Sequence, residues 1–228
     1  MRGMSVDDDK RLAAAAAVAE VQDGMIVGLG TGSTAAFAIE ALARRCAAGL
    51  RIEAVATSAA SAAAARTRGI MVRDFSDVAT LDLAIDGADE IDGQLWAIKG
   101  AGGAMLREKT VAAAARRFVV IADGSKRVDA IGAAKLPVEV LPFARAFVVA
   151  QLQALGAAVT IRAEYHTDNG NLVADCAFRA MPDPRRLASA IAAIPGALGH
   201  GLFLDEVDAA YIAANGAVVR LERGGRSD

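Results

Sequence analysis

Short apolar runs alternate with longer alanine-rich stretches over the first 131 residues of the chain. The apolar runs lie at 25–27, 51–56, 70–72, 81–85 and 118–123, and the stretches between them favour helices. Apolar strands that alternate with helices are typical of a parallel sheet covered by helices on both faces. The pattern therefore predicts an α/β fold, Rossmann-like, with a largely parallel sheet.

Capping residues predict where the first helices begin and end. Ser5 is a good N-cap, and the acids that follow it lie at the positive end of the helix dipole. This first helix is expected to run to about Val21. Gly49 and Gly69 are expected to end the next two helices.

The pattern changes after residue 131. A strand at 137–142 and a helix precede two strands that flank Asn169-Gly170, which is a strong hairpin signal, and a second helix ends before Pro195-Gly196. This order of elements predicts a smaller α+β domain of ferredoxin-like type at 132–205. The first domain is then 1–131, joined by 206–228.

The last segment is expected to return to the first domain as a hairpin. The hairpin is predicted around Asn215-Gly216, and the residues 224–228 are expected to fray.

Composition and charge indicate the kind of core and limit the kinds of partner that the protein can have. Apolar residues make up 54% of the chain but aromatic residues only 4%, so we expect a core of small side chains in close contact. The net charge is −2 and the sequence contains no basic stripe, and both observations disfavour nucleic acid as a partner. The apolar runs are too short to span a membrane, and we expect no signal peptide, which favours a cytoplasmic protein.

Cysteines and histidines are few. Cys46 and Cys176 show no metal-binding spacing and are expected to pack as reduced, small apolar side chains. His166 and His200 are the only two histidines, which excludes a multi-histidine metal centre. We expect both histidines to be structural or on the surface.

The first apolar strand runs into a glycine-rich loop that opens a helix. The glycines are Gly28, Gly30 and Gly32, and Ser33 and Thr34 start the helix. Backbone N–H groups and the helix dipole bind phosphate in this geometry. The loop lacks the Gly-Lys-Ser/Thr of a P-loop.

A dinucleotide site is the alternative interpretation of the same loop, because Gly30, Gly32 and Ala35 fit GxGxxA. That motif expects an acid at the end of the second strand. The available acid, Glu53, lies near the start of that strand instead. A smaller phosphate ligand is therefore favoured.

The segment 86–109 carries the candidate catalytic chemistry. It holds Asp86, Asp89 and Glu108, with Lys99 beside a glycine turn at 100–103. Carboxylates and a lysine beside a glycine turn suit proton transfer next to a developing oxyanion. Taken singly, each residue is as well explained by a turn, a cap or a solvated helix face.

The placement of these residues after strands favours the functional interpretation. The loop after the first strand, Asp86, Lys99 and Asp123 all follow apolar strands. The carboxyl ends of parallel strands meet at one edge of a sheet, where ligands bind. We therefore expect these residues to lie along one rim.

Several motifs in order resemble one known family, ribose-5-phosphate isomerase of type A. The motifs are IVGLGTGSTA at 26–35, DGADEID at 86–92, IKGAGGAMLREK at 98–109 and ADGSK at 122–126, followed by second-domain markers such as LPVEVLPFA and TDNGN. The resemblance covers nearly the whole chain. It implies interconversion of ribose 5-phosphate and ribulose 5-phosphate in the pentose phosphate pathway, by a cytoplasmic homodimer with no metal or other cofactor.

The resemblance also implies a role for each matching residue. Glu108 is expected to be the base that moves a proton between C1 and C2, Asp86 to assist ring opening and proton transfer, and Lys99 to stabilise the oxyanion. Substrate binding is expected from Lys10, Thr31, Gly32, Ser33, Thr34, Asp86, Gly87, Ala88, Asp89, Lys99, Gly100, Ala101, Gly102 and Lys126.

The chain departs from the family pattern in the glycine turn. Ala101 stands where the family has glycine, and Met105-Leu106 replaces a small or hydroxyl-bearing pair. An alanine fits without strain if its φ is negative.

Two other functions share this kind of fold. A non-enzymatic sugar-phosphate sensor is expected to lose the base, whereas Glu108 is present. An amino-sugar phosphate deaminase is disfavoured because no histidine stands in 86–109.

Overall fold

The computed structural model describes residues 5–224 of the chain. Its α-helices are α1 (Val6–Val18), α2 (Ser33–Ala47), α3 (Ala59–Arg66), α4 (Met105–Ala114), α5 (Arg145–Ala154) and α6 (Pro184–Ala192). Its strands are β1 (Ile26–Leu29), β2 (Glu53–Ala56), β3 (Leu83–Gly87), β4 (Glu90–Ile91), β5 (Ala97–Ile98), β6 (Phe118–Asp123), β7 (Leu136–Val140), β8 (Ala157–Ile161), β9 (Leu172–Phe178), β10 (Ala197–His200), β11 (Leu202–Phe203), β12 (Ala209–Ala214) and β13 (Ala217–Glu222).

The central sheet has six strands in the order β13-β12-β6-β3-β1-β2. All neighbours are parallel except the β12–β13 hairpin. Successive residues of its strands face opposite sides: Ile85 packs in the cluster beneath α1 and α2, whereas Ala84 packs in the cluster on the other face. The predicted α/β class with a largely parallel sheet is confirmed.

Small side chains let α1 lie close to its neighbours. Ala13, Ala14 and Ala17 are fully buried in the cluster shared by α1, α2 and the sheet. The helix begins at the predicted N-cap Ser5, which forms a capping box with Asp8: each side chain accepts from the other residue's backbone N–H group.

A second sheet of four antiparallel strands has the order β10-β7-β9-β8. Counted along the segment from β7 to β10, this is the order 4-1-3-2 of a ferredoxin-like unit, and α5 and α6 pack on it through Val148, Leu152 and Ile191. The small α+β unit of the predicted fold class is therefore present.

The remaining strands connect the two sheets. β11, β5 and β4 form a short antiparallel sheet. The β12–β13 hairpin turns at Asn215-Gly216, both with positive φ, and joins the six-stranded sheet beside β6. The domain division at 131/132 and 205/206 stays a prediction. Of the tail expected to fray, 225–228 lie outside the described residues.

Several elements of the first 131 residues differ from the prediction in their bounds or extent. The helix α1 ends at Val18, not Val21, where the Arg45 side chain donates to the carbonyls of Val18 and Val21. The strand β1 extends two residues further, to Leu29. The predicted strand at 70–72 is reduced to a single bridge between Ala54 and Val72.

Lys99 is expected to follow an apolar strand, and only the two residues Ala97–Ile98 form a strand before it. The Asp92 carboxylate accepts from the N–H groups of Gln94 and Trp96, which folds the chain into a turn with Leu95 at φ 62°. A side-chain acceptor therefore competes with strand pairing at this point.

None of the helices within residues 5–224 combines the length and the apolarity that a bilayer crossing needs. Cys46 and Cys176 are both free thiols, and Cys176 is buried.

The close packing of α1 makes a prediction about stability. Ala14 is fully buried, whereas its neighbour Ala15 is exposed. We expect Ala14→Leu to lower the free energy of unfolding by ~1–3 kcal/mol, because the helix must move outward to admit the larger side chain. The matched variant Ala15→Leu should change it by no more than about 0.5 kcal/mol. Urea denaturation measures both, and equal effects would contradict the packing described here.

Candidate active site

The loop after β1 closes around the Asp86 side chain. Gly30 bonds the Ile85 carbonyl through its N–H at 2.9 Å, and a Cβ on Gly30 would overlap the Asp86 carboxylate. The Oδ1 atom of Asp86 accepts from the N–H of Thr31 at 3.0 Å and from that of Gly87 at 2.7 Å. The glycine loop therefore fixes Asp86 at the carboxyl end of β3.

Lys99 lies between two carboxylates. Its Nζ atom is 2.9 Å from Asp86 Oδ2 and 3.2 Å from Glu108 Oε2, and it donates to the Gly87 carbonyl at 2.5 Å. Lys99 directly follows β5, and Glu108 stands in the first turn of α4. Three separate elements thus bring one cation and two acids together.

All three side chains are buried. Asp86 and Lys99 are 2% exposed and Glu108 is 4% exposed. The rings of Phe118 and Phe203 lie 5.9 and 5.4 Å from Lys99 Nζ and exclude water from that side of the ammonium group. The electrostatic interactions within the group are consequently strong.

Burial and mutual charge shift the pKa values of all three groups. Burial, and then the Asp86 charge, raise the pKa of Glu108 to about 8. Burial also raises the pKa of Asp86, against the effect of Lys99. Burial opposes the charge on Lys99, but Asp86 and Glu108 outweigh it and raise the pKa of Lys99 to about 12. Lys99 is therefore a fixed cation, and Glu108 ionises at a higher pH than an ordinary carboxyl group.

A second polar region lies at the N-terminus of α2. Gly32 is the N-cap residue, with φ 104°, and no side chain of the described residues caps this helix. Lys10 reaches across from α1 to bond Ser33 Oγ at 3.2 Å. Lys126 belongs to the short 3-10 turn Gly124–Lys126 that follows β6. Uncapped N–H groups and two cations form a favourable place for a phosphate group.

A cavity of about 310 Å³ connects the two regions. Its lining includes every residue that the resemblance implicates except Asp86, which lies behind it against Lys99: Lys10, Thr31, Gly32, Ser33, Thr34, Gly87, Ala88, Asp89, Lys99, Gly100, Ala101, Gly102, Glu108 and Lys126. The structure brings the predicted residues together, and their individual roles stay predictions.

The lining also includes Val6 and Ser125, which the sequence interpretation did not place in the site, and Asp123, which it placed on the same rim without a role. Asp123 is 2% exposed, and its Oδ1 accepts from the N–H of Ser125 at 3.0 Å, which caps the turn that carries Lys126. The sequence analysis expected Asp123 on this rim because it ends the apolar run 118–123 at the carboxyl end of a strand.

The glycine turn accommodates its alanine. Gly100 and Gly103 have φ values of 105° and 77°, whereas Ala101 is not among the residues with positive φ. The N–H of Ala101 donates to Asp89 Oδ2 at 2.9 Å. The alanine therefore causes no backbone strain, and Asp89 is held beside the turn.

Within residues 5–224, no group of three or more His, Cys, Asp or Glu side chains is placed to hold a metal ion.

Comparison with known proteins shows which family the chain resembles. The model of the family "Ribose 5-phosphate isomerase A (phosphoriboisomerase A)" matches residues 53–216. A ribose-5-phosphate isomerase A from Sphingopyxis alaskensis is 52% identical over 220 residues, which are 95% of this chain and 96% of the relative.

Solved structures agree with that match. Ribose 5-phosphate isomerase A from Neisseria gonorrhoeae superposes with a TM-score of 0.93 at 36% identity, over 98% of this chain and 100% of that one. A D-ribose-5-phosphate isomerase in complex with phospho-erythronic acid superposes with a TM-score of 0.93 at 34% identity, over 96% of this chain and 100% of that one.

The raised pKa of Glu108 makes a prediction about stability and pH. The folded protein holds this proton more tightly than the unfolded chain, so Glu108 lowers stability progressively as the pH rises from 4.5 to about 8. The variant Glu108→Gln does not titrate. Its melting temperature should therefore exceed that of the native protein by a margin that grows over this window, to ~3 °C or more at about pH 9.

The exposed Glu164 provides the control, because Glu164→Gln removes the same charge from the surface. Its melting temperature should follow that of the native protein at every pH. Differential scanning calorimetry measures all three proteins, and a constant difference between Glu108→Gln and the native protein would contradict a raised pKa at Glu108.

Proposed function

The chain belongs to the ribose 5-phosphate isomerase A family, and we propose that its cavity performs the family reaction with Glu108 as the base. The reaction interconverts D-ribose 5-phosphate and D-ribulose 5-phosphate, an aldose and a ketose, in the non-oxidative pentose phosphate pathway. The observation that carries the assignment is the placement of Lys99 between Asp86 and Glu108, at one end of a cavity whose other end suits a phosphate group.

The phosphate group is assigned to the N-terminus of α2. The loop residues 31–34, with Lys10 and Lys126, supply N–H groups, hydroxyls and two cations there. These contacts are the same for substrate and transition state, so they contribute mainly to binding. They also orient the sugar, whose C1 and C2 then lie toward Lys99 and Glu108.

The chemistry consists of two proton transfers on carbon. In the open-chain aldose, ionised Glu108 removes the proton from C2, and the electrons of that bond form an enediolate with its negative charge on O1. Glu108 then returns the proton to C1, and the proton of the C2 hydroxyl is transferred to O1, which leaves a ketone at C2. No atom is gained or lost, and one carboxylate serves as base and then as acid.

The raised pKa of Glu108 suits this task. A base whose pKa is about 8 removes a carbon-bound proton with a greater driving force than an ordinary carboxylate does. Nearby Lys99 stabilises the charge that develops on the sugar oxygens, and it needs no reorganisation because it is already fixed between two acids.

The other acids are assigned to the sugar oxygens. Asp86, in contact with Lys99, assists ring opening and proton transfer between oxygens. Asp89, held by the N–H of Ala101, orients hydroxyl groups. A homologous structure is a complex with phospho-erythronic acid, a phosphorylated sugar acid, which supports a phosphorylated sugar as the substrate of this site.

The remaining proposals concern the setting of the enzyme. We propose a homodimer that works in the cytoplasm on a phosphorylated pentose, without nucleic acid, metal or another cofactor. The family resemblance supports the dimer and the location. The position of Lys99 supports catalysis without a metal, because it supplies a positive charge where the reaction develops a negative one.

The assignment of the base makes the first functional prediction. The variant Glu108→Gln keeps the size of the side chain but cannot accept a proton at neutral pH. We expect it to fold, to bind ribose 5-phosphate, and to lose ~10²–10⁴-fold in kcat, as is typical for the loss of a general base. It should also fail to exchange the C2 proton of the substrate with solvent deuterium.

Ketose absorbance and proton NMR measure the two effects, with Glu164→Gln as the control that should retain both activities. If Glu108→Gln retained exchange, or lost only a few-fold in kcat, another carboxylate would be the base, and Asp86 would be the first to test.

The assignment of the phosphate region makes a second prediction, for Lys126. The variant Lys126→Ala should raise KM for ribose 5-phosphate more than it lowers kcat, because phosphate contacts act equally in ground and transition states. Steady-state kinetics separates the two parameters. A collapsed kcat with an unchanged KM would refute a binding role. Kinetics equal to those of the native enzyme would show that Lys126 is a surface lysine with no part in binding.

A further inference from the structure

We propose that Arg162 and Tyr165, which belong to the small ferredoxin-like unit, are positioning residues that hold the glycine turn 100–103 as a hydrogen-bond donor for the enediolate. The proposal rests on the proposed function and deepens it. It concerns side chains that lie outside the segment 86–109 and outside the lining of the cavity.

Three consecutive carbonyls of the turn are bonded by these two side chains. Arg162 donates to the Gly100 carbonyl at 3.2 Å and to the Ala101 carbonyl at 2.9 Å. Tyr165 Oη donates to the Gly102 carbonyl at 2.9 Å. The orientation of each peptide plane in the turn is therefore set by the small unit.

Fixing a carbonyl also fixes the N–H of the same peptide. The two point in opposite directions across a trans peptide bond, so bonds to the carbonyls direct the N–H groups the other way. The N–H of Ala101 bonds Asp89, and that of Gly103 bonds the Gly100 carbonyl at 2.8 Å. The N–H of Gly102 has no acceptor in residues 5–224 and belongs to a residue that lines the cavity. It is the donor that the turn leaves for a ligand.

The side chains that hold the turn are themselves rigidly held. Arg162 forms a two-point ion pair with Asp175, at 2.9 and 2.7 Å. Tyr165 packs so closely on the turn that a Cβ on Gly103 would overlap its hydroxyl group. The hydrogen bond from Tyr165 to the turn therefore needs the tyrosine hydroxyl, and it can form only because residue 103 has no side chain.

A buried carboxylate anchors the loop that carries Tyr165. Glu139, in β7, is completely buried, and its Oε1 accepts from Thr167 at 2.9 Å, Asn169 at 3.0 Å and Asn171 at 2.8 Å. The loop therefore cannot shift without leaving a buried charge unpaired. The hydrogen bond to the small sheet therefore fixes Thr167, which lies two residues after Tyr165.

The same loop also contacts the helix that carries the base. Arg107 precedes Glu108 in α4 and donates to Asn169 Oδ1 at 2.7 Å and to the Asp168 carbonyl at 2.9 Å. The loop thus contacts both the glycine turn and α4. A displacement there would move the oxyanion donor and the base relative to each other.

The test compares Tyr165→Phe and Arg162→Lys with the native enzyme. The first removes one hydroxyl and keeps the ring, and the second keeps the charge but loses the two-point contact. We expect each to lower kcat by ~10–100-fold, the effect of a small misplacement of reacting groups. KM for ribose 5-phosphate should change by no more than about twofold, because the phosphate contacts lie on other elements.

The affinities of two probes distinguish a positioning role from a merely structural one, because only a positioning role weakens one probe and spares the other. Calorimetry should show that both variants bind phospho-erythronic acid more weakly by about the factor lost in kcat, and bind inorganic phosphate as the native enzyme does. The control His166→Ala changes the exposed neighbour of Tyr165 and should leave all these values unchanged.

The outcomes separate the inference from the function on which it rests. If the native enzyme forms no ketose from ribose 5-phosphate, the proposed function fails and the inference falls with it. If the native enzyme is active and both variants match it in kcat and analogue affinity, the inference alone is wrong. An equal loss of affinity for both probes, with a lowered melting temperature, would likewise assign these residues a structural role only.

Discussion

The buried contact of Lys99 with Asp86 and Glu108 is the constraint on which the rest of the site depends. Removing three charged groups from water is costly, and it is tolerated only when they satisfy one another. Burial raises the pKa of Glu108 to about 8, and the charge of Asp86, which the single ammonium group of Lys99 must also neutralise, adds to this shift. Burying two carboxylates beside one ammonium group costs stability, but it also gives the protein a strong base beside a fixed cation.

The fold supplies the rigidity that this contact needs. Asp86 ends a central strand and is held by N–H groups of the β1 loop, Lys99 follows the short strand β5, and Glu108 begins a helix. The absence of a side chain at Gly30 lets the loop approach Asp86 closely enough to bond it. The second sheet contributes indirectly, since its loop residues bond the glycine turn that separates Lys99 from α4.

The features that the sequence predicted are those that local patterns determine. Alternating apolar strands and helices predicted the parallel sheet, and Asp86 lies at its carboxyl edge as expected. Lys99 reaches the same place from β5, which belongs to the three-stranded antiparallel sheet and not to the parallel one. The contacts of Arg162 and Tyr165 with the glycine turn could not be predicted, because they depend on how the small unit lies against the first sheet. The turn at Leu95 was missed because a single acceptor, Asp92, overrides the strand propensity around it.

The central claim is that the pKa of Glu108 is raised to about 8, so that its ionised form is a stronger base than an ordinary glutamate. A ¹³C NMR titration of protein labelled at the glutamate side-chain carboxyl groups, with the Glu108 signal assigned by its loss in Glu108→Gln, measures this directly. The account predicts that the Glu108 signal titrates with an apparent pKa of about 8. A midpoint between about 4 and 5, as in an ordinary glutamate, would contradict it.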